Sequence, residues 1–265
     1  MRKRSIVVGL ALAILASGYA AAETFDSPTG LRGYRLGMTL AEARRVPHPD
    51  GIPNTRFSCA RAVYNGHPTP PMDLARIREL AQQSIRYNTP TLRHPFDKAS
   101  EQVLFFGGIR CSLLQPPIGA DKQYYRDSSP AEFKVAGAPS NLIFIFGPTH
   151  DFTGAQPEDE HRLMVIEGNV ELDQPVLLAA LQGRYGPYEL NRERVRRFDG
   201  REEIVETPVW RTRDGDYLLV AEPRNSLSYQ APRLVADLTA RFDAAIARER
   251  TNLMSNATQE RSKQF

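Results

Sequence analysis

Apolar and polar residues alternate along this chain in several short registers, each of which predicts an element. Thr39 followed three residues later by Glu42 forms a capping box. Each side chain satisfies a backbone amide of the other, so a short helix should start at Thr39 and end before Pro47. Residues 57–64 read as a strand. From Asp73 to Tyr87 the apolar positions Leu74, Ile77, Ala81 and Ile85 recur at helical spacing. Val103–Phe106 and Ile109–Leu114 read as two strands, parted by Gly107-Gly108 acting as a bulge or a two-residue turn. Asn141–Pro148, rich in Ile and Phe, predicts a central strand, and His161–Glu167 its antiparallel neighbour across the loop 147–160.

In the second half a capped helix again precedes strands. Asp173 opens a helix with Pro175 in its first turn, running to Tyr185 and stopped by Gly186-Pro187. Residues 191–203 are mostly charged and read as a loop or hairpin. Two β-prone runs, Val209–Arg213 and Asp216–Val220, flank Asp214-Gly215, which suits a type I′ turn with both central residues at positive φ. Leu234, Val235, Leu238, Phe242, Ala245 and Ile246 make one face of a last helix from about Pro232 to Arg250. Residues 251–265 are polar and are expected to be disordered. Strands come in consecutive runs, so the predicted fold is α+β. It is an antiparallel sheet with three or four helices packed on it, in one domain spanning 23–250 with two candidate helix-then-strands halves, 23–146 and 147–250.

Gly33-Tyr34-Arg35-Leu36-Gly37-Met38-Thr39-Leu40-Ala41-Glu42 resembles the opening of many uncharacterised exported bacterial proteins. In those, a Gly-Met-Thr or Gly-Met-Ser triplet introduces a helix packed on antiparallel sheet. One such group is the small lipoprotein of the outer-membrane β-barrel insertion machinery. Leu181–Pro187 followed by Trp210 and a hairpin is similar to the second half of such proteins. The resemblance implies an architecture of helix then hairpins. This chain lacks a cysteine for lipidation near its start and is much longer than that lipoprotein. Tethering, partner contacts and functional residues therefore do not carry over.

Composition adds a compartment. Met1-Arg2-Lys3-Arg4, an apolar stretch from Ile6 to about Ala16 and the small residues up to Ala22 are the parts of a secretory signal peptide. Residues 1–22 are thus expected to be removed, leaving a periplasmic or secreted protein with no transmembrane segment. The chain has 34 Lys+Arg and 31 Asp+Glu. The leader takes three basic residues and no acidic ones, so the remainder is neutral, which argues against nucleic acid as a partner. In an oxidising compartment the only two cysteines, Cys59 and Cys111, should pair in a structural disulfide.

Chemistry is harder to find. No nucleophile elbow, phosphate-binding loop or paired-histidine zinc helix occurs. The nearest approach to a metal set is His150-Asp151 with Glu158-Asp159-Glu160-His161, but its long, loop-like spacing reads as a solvated acidic loop. No cofactor and no metal is therefore expected. Arg192, Arg194, Arg196, Arg197 and Arg201 crowd one stretch, balanced by Glu193, Asp199, Glu202 and Glu203. An anion or lipid-headgroup site is conceivable there, but the balance favours a solvated loop or hairpin. Gln115–Ser140 is the longest stretch without periodicity and the first candidate for a binding loop. Trp210 and Tyr124-Tyr125 are candidate partner anchors, although a lone Trp in a strand is more often core. The expected function is non-enzymatic: binding of an envelope component or another protein. The alternative is an envelope hydrolase whose catalytic groups are scattered along the chain.

Overall fold

The computed structural model describes residues 26–61, 63–64, 67–68, 72–88, 98–115, 129–154, 156–196, 200–222 and 225–263. In chain order, β1 (Gly30–Leu31) and β2 (Tyr34–Arg35) form a small ladder, followed by α1 (Leu40–Ala43) and β3 (Arg56–Arg61). Next come a second small ladder, β4 (Val63–Tyr64) with β5 (His67–Pro68), and the helices α2 (Leu74–Arg86) and α3 (Ala99–Phe105). Then follow β6 (Ile109–Gln115), β7 (Ser129–Pro130), β8 (Phe133–Val135), β9 (Ala138–Gly147), the 3₁₀ turn Glu158–Glu160 and β10 (Arg162–Val170). The chain closes with α4 (Gln174–Tyr185), β11 (Glu189–Arg196), β12 (Glu202–Arg211), β13 (Leu218–Glu222), β14 (Ser226–Gln230) and α5 (Pro232–Ser262). The expected α+β class holds, with four helices of seven or more residues on antiparallel sheet.

Ten strands make one antiparallel sheet in the order β11-β12-β13-β14-β10-β9-β6-β3, with β7 on β6 and β8 on β9. Strands from both halves of the sequence join across the β9–β10 ladder. The sheet separates two apolar cores. Leu142, Phe144 and Phe146 of β9 point to the face shared with Tyr34, α1 and α4, while Ile145 points to the face covered by α2, α3 and α5. This is the alternation that sequence period predicts for a central strand. On β10 the register slips between Leu163 and Val165. Met164 is the extra residue of the bulge, so Met164 and Val165 both enter the helical face while Leu163 and Ile166 stay on the other.

Several expected elements stand as read. Thr39 closes the capping box in both directions, α2 follows its predicted span, and Gly186 ends α4 at φ 81°. Cys59 and Cys111 face each other across β3 and β6, with their sulfurs at bonding distance, 2.08 Å.

Four readings need correction. Val103–Phe105 belong to the helix α3, with Phe106 as its C-cap, not to a strand. A short apolar run has no periodicity to tell the two apart. Gly107-Gly108 is accordingly the helix stop: Gly107 sits at φ 91° and Gly108 donates to the carbonyl of Val103. Asp214-Gly215 is not a type I′ turn, because only Gly215 has positive φ. Strand pairing ends at Arg211–Leu218, and the Thr212 carbonyl accepts from the Gly215 amide. The two-residue hairpin with both central φ positive lies at Ala136-Gly137, joining β8 to β9 inside the stretch read as a long loop. Finally, α5 continues through the expected disordered tail to Ser262, in a segment with no glycine and no proline after Pro232.

Candidate functional site

An open groove of about 670 Å³ is lined by Thr29, Arg35, Leu36, Gly37, Met38, Glu42, Arg45, Arg162 and Tyr217. Its position follows from the capping box. The Gly37 amide donates to Leu163 at 2.7 Å, the Leu163 amide donates back to Met38 at 2.8 Å, and the Leu40 amide donates to His161 at 2.9 Å. These bonds fix the segment before α1 against the start of β10. Gly37, at φ 88°, makes the bend that permits the approach. Arg35 at the end of β2, Arg45 just after α1 and Arg162 at the start of β10 are thereby gathered from three parts of the chain.

Three guanidiniums against the single carboxylate of Glu42 leave the lining of the groove net positive. Glu42 Oε2 accepts from the Thr39 amide at 2.7 Å and from the Thr39 hydroxyl at 3.2 Å. Those bonds, then the fields of Arg162 and Arg35, hold the Glu42 carboxyl below its usual range. Arg162 Nη1 donates to the Gly37 carbonyl at 3.2 Å, which orients the guanidinium beside the groove. A guanidinium carries five donors, so each arginine keeps donors for a ligand. Such an arrangement binds carboxylates, phosphates or sulfates. Among the described residues of the lining no nucleophile is paired with a base.

The two histidines of the candidate metal set do come together. His150 and His161 line a small cavity of about 30 Å³ with Arg61, Met72, Asp73, Gly107, Pro148 and Gln156. His150 Nδ1 lies 3.0 Å from Gln156 Oε1, and His161 Nδ1 lies 3.3 Å from the Pro157 carbonyl. Burial, chiefly, pushes the His161 imidazole below its ordinary pKa. Three of the four acids of that set are engaged by other side chains, and the fourth, Glu160, accepts from Gln156 at 3.4 Å. Glu158 pairs with Arg61 at 3.0 Å, Asp159 with Arg44, and Asp151 accepts from the Thr153 hydroxyl at 2.8 Å. Among the described residues no group of three or more His, Cys, Asp or Glu is placed to hold a metal ion.

Trp210 is core: it is 3% exposed, and its Nε1 donates to the Gly186 carbonyl at 2.8 Å. Tyr124-Tyr125 and most of the candidate binding loop, 116–128, lie outside the described residues. The arginine-rich stretch is the hairpin of β11 and β12, with Arg192 paired to Glu206 at 2.8 Å. The groove arginines had no signature in the sequence, where each stands apart from the others. Among the described residues no helix is long and apolar enough to cross a membrane. In comparisons with known proteins, no family model matches the chain, and no curated protein or solved structure matches it either.

Proposed function

We propose that this chain is an exported, non-enzymatic binding protein of the bacterial envelope, which holds an anionic component in the groove lined by Arg35, Arg45 and Arg162. One observation carries the binding part: three guanidiniums surround one open groove whose carboxylate is engaged by Thr39. The basic, apolar and small-residue segments of the leader support the export part, as does a bonded cysteine pair.

Titration calorimetry tests the groove, with inorganic pyrophosphate and with vesicles of phosphatidylglycerol or of phosphatidylcholine as probes. A soluble-anion site takes up pyrophosphate, and a headgroup site takes up only the anionic vesicles. In either case Arg35→Glu/Arg45→Glu should abolish the heat. Uptake of neither probe, or uptake unchanged in that variant, removes the groove from the proposal. Export is tested separately, by N-terminal sequencing of the protein recovered from a periplasmic extract. The expected first residue is Glu23, and an intact leader with alkylatable thiols refutes it.

A further inference from the structure

The hairpin of β11 and β12 projects beyond the sheet. β13 pairs with β12 only over Val209–Arg211, so Glu202–Thr207 have β11 on one side and, among the described residues, no strand on the other. β11 ends the sheet order, leaving its outer row of amides and carbonyls without a strand partner among the described residues. A two-stranded ribbon is marginal in water by itself. This one also holds apolar side chains in solvent: Leu190 is 44%, Val195 37% and Ile204 62% exposed.

Alternation sorts its charges. Leu190, Arg192, Arg194 and Arg196 share one face, opposite Pro208, Glu206, Ile204 and Glu202 of β12. Arg192 Nε reaches Glu206 at 2.8 Å, and Arg194 Nη1 stands 3.9 Å from Glu202. Each guanidinium therefore has donors left over for an incoming acceptor. A second copy of β11 is a poor occupant. Antiparallel continuation of a sheet sets residues of the same face opposite each other. Centred on Arg192 it opposes Arg192 to itself, and centred on Glu193 it opposes Arg192 to Arg194 and Glu193 to itself. Parallel pairing in register stacks every arginine on its own copy. Like charges directly opposite destabilise a ladder, so the pattern blunts self-association and leaves a strand of opposite charge as the complement.

We propose that the outer edge of β11 accepts an extended segment of a partner protein, added as a further strand with carboxylates at every second position. Backbone bonds along the open edge supply affinity, and the row Arg192, Arg194 and Arg196 supplies selection. This surface is separate from the groove of Arg35, Arg45 and Arg162, and the inference does not rest on it.

The test uses the full disulfide-bonded chain and two synthetic peptides of equal length, one alternating Glu with Thr, the other Lys with Thr. Binding is followed by NMR titration and amide exchange. The Glu peptide should bind at least about tenfold more tightly than the Lys peptide and should slow exchange at amides within 189–196. Arg192→Glu/Arg194→Glu should reverse the preference, while Arg35→Glu/Arg45→Glu should leave it intact. Equal affinity for the two peptides overturns the proposal, and so does protection confined to residues outside β11. Loss of Glu-peptide binding in the groove variant instead assigns the peptide to the groove and likewise overturns it. The comparison of peptides on the unmodified chain decides the matter even if the β11 variant fails to fold.

Discussion

The two ends of the sheet are built in opposite ways. At one end β3 is fastened to β6 by Cys59–Cys111, and its Phe57 packs edge-on against Tyr34, Phe144 and Phe146 at 5.9, 5.2 and 6.1 Å. Arg61 is tied to Glu158 at 3.0 Å. At the other end β11 and the first part of β12 have no aromatic residue, expose almost every side chain and are joined by surface ion pairs. Exposed pairs of that kind contribute only about 0–1 kcal/mol each. The same ladder geometry thus serves as a stapled wall at one end and as an arm at the other. Covalent and aromatic ties, not strand pairing, make the difference.

Reducing the disulfide should have the largest effect on this contrast. Its half-cystines lie 52 residues apart, and closing a loop of that length stabilises the fold by about 4 kcal/mol in the chain-entropy model. Denaturant titration of the Cys59→Ala/Cys111→Ala variant should show a loss near that size. Amide exchange should accelerate in β3 and β6 and stay unchanged in β11. If the arm loosens as much as the wall, the two ends are one cooperative unit and the contrast fails.

Next comes pH. The stapled end holds His161, 3% exposed, in the cavity beside Met72, and His48, 6% exposed, packs against Phe133 in the core on the other face of the sheet. Burial is the leading cause that lowers both imidazoles from the usual 6.5. The unfolded chain then binds protons that the folded chain resists. Their contribution is complete above about pH 6.5 and is lost as the pH falls toward the folded values. Residues 189–211 contain no histidine. Thermal melts should therefore fall in midpoint below about pH 6.5, and His161→Asn should flatten that slope. A slope unchanged in this variant would assign the acid sensitivity to other groups.

How far the sequence foretold these features depends on how local their causes are. The capping box at Thr39, the spacing of α2 and the stop at Gly186 are each written within a few residues, and each is found where expected. The helix α3 was misread because the run Val103–Phe106 is too short to show a period, and burial against Phe242 and Met164 decided it. The Ala136-Gly137 hairpin was missed because alanine is a poor marker for positive φ, whereas Asp214-Gly215 carried the usual marker and took another turn. The groove was illegible for a different reason: Arg35, Arg45 and Arg162 meet only once the Gly37–Leu40 segment is bonded to β10.

The cap itself gives a smaller effect. Thr39 accepts from the Glu42 amide at 3.1 Å, and Thr39→Ala should cost about 1 kcal/mol. It keeps the residue-39 amide that holds Glu42 Oε2 at 2.7 Å, so pyrophosphate binding should change little. A marked loss of anion uptake would show that the Thr39 hydroxyl is needed to hold Glu42 away from the groove arginines.

The smallest expected effect falls on the arm. Ile204 is 62% exposed and stands opposite Arg194, so Ile204→Thr removes little buried surface and keeps a β-branched side chain. Its cost should lie within about 0.5 kcal/mol. An arm that owes its order to the strand pairing of β11 with β12 tolerates the change, and exchange at Arg192 through Glu206 stays as it was. A loss several times larger would mean that Ile204 is covered in solution, by a partner strand or by residues outside the described set. The arm would then resemble the stapled end in being packed, and the difference between the two ends would reduce to the disulfide alone.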